Sequence, residues 1–133
     1  MAVTANQINK AQGARRRQRV PLAAEKVYQG TFLYRNSSGY GTGTSGTNTF
    51  AGIVVETVDN SGGSAGDLAC EVYQEGVFEL PLGSAAITDL GALVYGTDNY
   101  TLTKTASTNP KIGRIVEWVS TGIVRVAIDP LWT

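Results

Sequence analysis

Residues 71–80 read Glu71-Val72-Tyr73-Gln74-Glu75-Gly76-Val77-Phe78-Glu79-Leu80. Glu71, Tyr73, Glu75, Val77 and Glu79 share one parity; Val72, Gln74, Gly76, Phe78 and Leu80 share the other. A β-strand sends successive side chains to opposite faces. The alternation therefore predicts a strand with its acids in water and Val72, Phe78 and Leu80 in a core. Gly76 interrupts the run and marks a bulge or a close backbone approach. Pro81 has no N–H to give to a ladder and ends the strand.

Toward the C-terminus, Leu93 to Tyr95 and Tyr100 to Thr103 flank Gly96-Thr97-Asp98-Asn99, which reads as a hairpin with a four-residue loop. Ile112 to Val119 and Ile123 to Ile128 flank Ser120-Thr121-Gly122, a second hairpin. In its last strand Val124, Val126 and Ile128 are expected to face inward, with Arg125 and Asp129 outward. Toward the N-terminus, Val27 to Tyr34 and Ile53 to Val58 are aromatic or β-branched enough for strands. The stretch 36–49 between them is nearly all Gly, Ser, Thr and Asn. It reads as an exposed loop, long for a compact domain, and so as a candidate contact loop. Asn60 to Gly66 is a second Gly/Ser loop. No stretch beyond residue 20 keeps a 3.6-residue apolar period for three turns, and no internal repeat is present. Short strands with frequent turn signals predict an all-β chain, a small single-domain β-barrel or β-sandwich.

The 133 residues fit one domain with a core of its own. The formal net charge is zero, but it is unevenly spread. Through Arg35 there are seven basic residues and only Glu25 as an acid, so that segment carries +6 and the remainder −6. Residues 1–20 are polar, basic and poor in large apolar groups, too poor to order themselves alone. The expected organisation is a flexible basic N-terminal arm over 1–20 and a β-rich body over 21–133. No run approaches a membrane span, and no apolar stretch near the arginines resembles a secretory signal, so no membrane partner is expected. Cys70 is the single cysteine, which excludes an intrachain disulfide.

The residues argue against catalysis. The chain has no His, which removes the commonest general base, the Ser-His and Cys-His pairings and the usual zinc ligand. Cys70 has no basic neighbour in sequence and reads as an inert buried thiol. Residues 41–46 (Gly41-Thr42-Gly43-Thr44-Ser45-Gly46) match the G-x-G-x-x-G fingerprint of dinucleotide sites. That fingerprint needs a helix starting within it, and here a β-branched run follows. Glu71, Glu75 and Glu79 read as a solvated strand face rather than a glycosidase pair. Asp59 and Asp67 flank a Gly loop, but the spacing of a calcium loop is absent. No enzyme activity, no cofactor and no metal are expected.

The sharpest charged feature is Arg15-Arg16-Arg17-Gln18-Arg19. Arg15, Arg16, Arg17 and Arg19 could pair with carboxylates of a protein neighbour, where guanidinium forks suit bidentate contacts. They could neutralise phosphates, or form a solvated tail. No aromatic residue is interleaved to stack on bases, so nucleic acid is the weaker reading.

The order of short motifs resembles the cement, or head decoration, proteins of tailed-phage capsids. The matching segments begin at Ala24-Glu25-Lys26-Val27-Tyr28-Gln29-Gly30 and continue through Phe50-Ala51-Gly52-Ile53-Val54 and Ala65-Gly66-Asp67. Glu75-Gly76-Val77-Phe78-Glu79-Leu80-Pro81 is the most specific of them. Leu90-Gly91-Ala92-Leu93-Val94-Tyr95, Lys111-Ile112-Gly113-Arg114-Ile115 and Val124-Arg125-Val126-Ala127-Ile128 complete the series. The resemblance covers residues 24–129. It implies a structural virion protein on the outer capsid surface, a homo-oligomer with a trimer favoured, the major capsid protein as partner and no catalysis. It does not extend to the basic arm. A nucleic-acid-binding module and a host-surface adhesion module using the 36–49 loop are the competing expectations.

Overall fold

The computed structural model describes residues 2–7, 11, 12 and 16–128. Thirteen strands occur among them: β1 (Ala11–Gln12), β2 (Arg17–Pro21), β3 (Lys26–Val27), β4 (Phe32–Arg35), β5 (Gly41–Thr42), β6 (Thr49–Val54), β7 (Val58–Asp59), β8 (Ala69–Tyr73), β9 (Gly76–Pro81), β10 (Leu93–Gly96), β11 (Leu102–Thr103), β12 (Lys111–Ser120) and β13 (Ile123–Ile128). The only helical element among the described residues is one 3₁₀ turn, Ile87–Asp89. The expected all-β class holds. A six-stranded sheet runs β1-β9-β13-β12-β10-β11, a five-stranded sheet runs β2-β8-β6-β4-β5, and β3 pairs with β7. None of the three closes on itself, and every strand pair is antiparallel. No helix among the described residues is long and apolar enough to cross a membrane.

The central strands β4 and β6 of the five-stranded sheet are buried on both faces. Phe32, Tyr34, Phe50 and Ile53 join Phe78, Leu80, Val94, Ile112, Ile115, Val124, Val126 and Ile128 of the six-stranded sheet in one large apolar cluster. On the opposite face Leu33, Val54, Cys70 and Val72 meet Val20, Leu22 and Val27 in a second cluster, with Val58 packed against it. Alternation along β4 sends Phe32 and Tyr34 to the larger cluster and Leu33 to the smaller, which is the period-two rule at work. In β6, every residue from Phe50 to Val54 is buried. Burial on two faces needs such a near-continuous apolar run.

The single strand expected over 71–80 is two strands. The break falls at Gln74 and Glu75, and the chain leaves the five-stranded sheet for the six-stranded one. Gly76 begins the second strand at φ +130°, a conformation that a side chain disfavours. Val72 therefore lies in the smaller cluster while Phe78 and Leu80 lie in the larger. All six expected core residues are buried: Val72, Phe78, Leu80, Val124, Val126 and Ile128. Val27 to Tyr34 is likewise divided, by a turn at 28–31, into β3 and β4, and Ile53 to Val58 into β6 and β7. Both C-terminal hairpins form, with registers Gly96↔Leu102 and Ser120↔Ile123.

The expected boundary at residue 20 falls inside a strand. Residues 17–21 pair with β8 along Arg17↔Tyr73, Arg19↔Glu71 and Pro21↔Ala69. Val20 supplies the reason, since its side chain is fully buried opposite Cys70. One apolar residue amid the arginines anchors the strand to the smaller cluster.

Candidate contact surfaces

β2 forms one edge of the five-stranded sheet, and its arginines are set by the pleat. Arg17 and Arg19 stand opposite Tyr73 and Glu71, on the face that Val20 does not use. Arg17 Nη1 donates to Glu71 Oε2 at 3.2 Å, and its guanidinium carbon lies 5.3 Å from the Tyr73 ring centroid. The Glu71 bond, followed by the field of Tyr73, holds the Arg17 pKa above its ordinary value. Arg16 Nη1 lies 3.5 Å from Glu75 Oε2. Arg19 makes no ion pair among the described residues. Arg15 lies outside the described residues. The structure thus brings Arg16, Arg17 and Arg19 onto one exposed edge and engages two of them with the chain's own acids.

Glu71, Glu75 and Glu79 do not share a solvated strand face. Glu79 belongs to β9, in the other sheet, where Arg125 lies 3.5 Å away and also reaches Glu117 at 2.9 Å. These carboxylates act in ion pairs between strands rather than converging on a common point.

The second surface carries no periodic signature in the sequence. Asp89 Oδ2 accepts from Ala86 N at 2.9 Å and its Oδ1 from Lys104 Nζ at 3.0 Å, which fixes the 3₁₀ turn. The Ala86 N–H, followed by Lys104, keeps the Asp89 carboxyl below the usual carboxylate range. Gly91 N donates to Ile115 O at 2.9 Å and brings the turn alongside β12. Apolar side chains on both elements stay in solvent: Ile87 is 62 % exposed, and Leu90 and Val116 are each 48 % exposed. The β12–β13 register skips Val116 and Val119, so both are bulged residues with no partner opposite. Period-two reading assigns no outward role to a bulge, and short turn residues such as Ile87 and Leu90 carry no period at all.

The 36–49 loop is tied down. Asn36 Oδ1 accepts from Ser38 N and Tyr40 N, each at 3.0 Å. The Glu25 carboxylate accepts from Thr42 Oγ1 at 2.9 Å and from Gly43 N at 2.7 Å. Ser45 Oγ donates to Thr97 O at 2.7 Å. Gly41 to Gly46 leads through these contacts into β6, not into a helix. A shallow depression of about 320 Å³ separates Asn48–Phe50 from Thr108–Lys111. Asp59 caps Ser61 and Asp67 caps Ser64. Among the described residues no three His, Cys, Asp or Glu side chains gather as a metal site. Cys70 is buried, and burial pushes its thiol pKa up to about 12.

No family model matches the chain, and neither a curated protein nor a solved structure matches it significantly.

Proposed function

We propose that this chain is a structural virion protein that binds the outside of an assembled phage capsid and reinforces it. The observation that carries the reading is the Ile87, Leu90 and Val116 group. Large apolar side chains left in solvent on neighbouring elements, here the 3₁₀ turn and β12 joined by the Gly91–Ile115 hydrogen bond, suit a docking surface. The partner is the major capsid protein, and the ordered motifs from Ala24 to Ile128 support that choice. A β body with several sheet edges gains from covering them, and lattice or trimer contacts do so. The packing of the two larger sheets around one cluster supports a sandwich-like body over a barrel.

Protein recognition by the basic edge is favoured over phosphate binding. Arg16 and Arg17 already pair with carboxylates on their own body, so an acidic protein surface would extend an existing pattern.

The test is a map of the particle at moderate resolution. Density for this chain should lie outside the shell at repeated positions, with the 87–91 turn facing a shell subunit. Density inside the shell, or along packaged DNA, would overturn the reading.

A further inference from the structure

Two loops of the body are built alike. Thr42-Gly43-Thr44-Ser45-Gly46-Thr47-Asn48 leads from β5 into β6, and Thr103-Lys104-Thr105-Ala106-Ser107-Thr108-Asn109 leads from β11 into β12. Four of the seven positions are identical, the three threonines and the closing asparagine. The hydrogen bonds match as well. Thr44 N donates to Thr42 Oγ1 at 3.2 Å, and Thr105 N to Thr103 Oγ1 at 3.1 Å. Asn48 N donates to Ser45 O and Asn109 N to Ala106 O, both at 2.8 Å. Asn48 Nδ2 donates to Thr44 O at 2.9 Å, and Asn109 Nδ2 to Thr105 O at 3.1 Å. The fifth residue is left-handed in each loop, Gly46 at φ +44° and Ser107 at φ +42°. The expectation of no internal repeat fails at this scale, because so short a motif does not stand out among polar loops.

Ser107 is the informative member. Glycine adopts that conformation freely, whereas a side chain opposes it. Ser107 is the one non-glycine residue with positive φ among the described residues. Such strain persists only where the surrounding structure holds it, and it clusters at binding sites.

Both loops border one depression, that of about 320 Å³ between Asn48–Phe50 and Thr108–Lys111. Each asparagine spends its Nδ2 group on its own loop, and its Oδ1 accepts no hydrogen bond among the described residues. Matching frames thus hold two carboxamide oxygens that call for donors. Thr49 and Thr108 add hydroxyls, and Phe50 and Pro110 add apolar lining. Lys111 is half-buried and makes no ion pair among the described residues.

We propose that this depression binds a saccharide that carries a carboxylate. Its hydroxyls donate to Asn48 Oδ1 and Asn109 Oδ1, and its carboxylate pairs with the Lys111 ammonium. A cationic ligand would meet Lys111 as a like charge, and a purely apolar one would strip the amide oxygens of water without replacing it. The volume falls at the small end of ligand pockets, roughly 300–1,000 Å³, which suits a short saccharide. This inference does not depend on the capsid reading.

The experiment titrates the ¹⁵N-labelled full chain with the methyl glycosides of glucuronic, galacturonic and N-acetylneuraminic acid. Each is taken to about 20 mM, well above a millimolar Kd. Methyl glucoside and sodium acetate are the controls, one without the carboxylate and one without the ring. At least one acid should give saturable shifts confined to the amides of 42–50 and 103–111. Methyl glucoside should bind about tenfold more weakly, the loss of one charge-assisted bond. Lys111→Gln should weaken the acid by the same factor. Thr108→Trp fills the depression from an exposed position and should abolish binding, so it serves if Lys111→Gln fails to fold. No saturable shift with any of the three acids would overturn the proposal. So would equal binding of methyl glucoside or acetate, or binding that survives Thr108→Trp.

Discussion

Arg125 on β13 binds Glu117 on β12, Nη1 to Oε1 at 2.9 Å, directly across the register of the two strands. Its other terminal nitrogen lies 3.5 Å from Glu79 on the opposite neighbour, so one guanidinium ties three adjacent strands. The Arg125 side chain is 23 % exposed, which shields the pairs only partly. Arg125→Ala should lower stability by about 1 kcal/mol, and 0.5 M salt should reduce the difference. Urea denaturation of both proteins at two salt concentrations measures this.

Phe78 is 1 % exposed in the larger cluster and lies 5.7 Å, centroid to centroid, from Tyr73 across the two sheets. Phe78→Ala leaves a cavity that rigid strands on both sides cannot close. The expected cost is about 3–5 kcal/mol by equilibrium unfolding. A cost below about 1 kcal/mol would mean that the two sheets do not share a packed core.

Gly113 on β12 approaches β13 so closely that an added Cβ would overlap the Ala127 carbonyl. That atom is backbone in a paired strand and cannot swing aside. Gly113→Ala should destabilise by roughly 1–3 kcal/mol. Gly62, in the 60–66 loop, has nothing within 4 Å of such a Cβ. Gly62→Ala should leave the thermal midpoint within a degree or two, roughly the effect of a few tenths of a kcal/mol. The pair of melting curves separates close strand approach from a general intolerance of substitution.

Cys70 is 2 % exposed, and burial raises its thiol pKa to about 12. The folded chain therefore keeps its thiol proton at pH values where the unfolded chain, titrating near 8.5, has lost it. The folded state binds more protons in that window. Stability contributed by the neutral thiol is full below about pH 8.5 and declines as pH rises toward 12. Alkylation by iodoacetamide at pH 8 should proceed at the rate of unfolding, and become fast in 6 M urea. Rapid labelling of the native protein would contradict the burial of Cys70.

Much of the fold was legible because its strands alternate. β9 and β13 announce their inward residues at period two, and both C-terminal hairpins follow from turn residues between apolar runs. What escaped is where a run changes sheet. Val72 and Phe78 share a parity, yet they pack in different clusters, because the chain crosses between sheets at Gln74 and Glu75. Parity is blind to such a crossing, and Gly76 was its only local sign. The basic segment hides its anchor in the same way: composition describes Arg16 to Arg19 but underweights Val20, whose burial pins the strand. Of the candidate contacts, the arginine edge was readable from charge. The exposure of Ile87, Leu90 and Val116 depends on how the turn is set against β12, which no short window of sequence contains.

The apolar group near the 3₁₀ turn gives a direct prediction for attachment. Ile87→Glu places a charge on a side chain that is 62 % exposed, so the free protein should keep its stability within about 0.5 kcal/mol. Burying that charge against a shell subunit would be unfavourable, and binding to heads should weaken by at least about tenfold, the equivalent of 1.4 kcal/mol. Co-sedimentation with assembled heads provides the readout.

The most direct test of the central claim is a comparison of heads assembled with and without this protein, heated together and assayed for DNA release. Binding to the finished shell alone stabilises it by mass action, by about 2.7 kcal/mol per site at a hundredfold excess over Kd. The account predicts that undecorated heads assemble and package normally but release DNA at a lower temperature, and that added purified protein restores the higher one. Heads that fail to assemble without the protein, or that release DNA at the same temperature with and without it, would contradict the account.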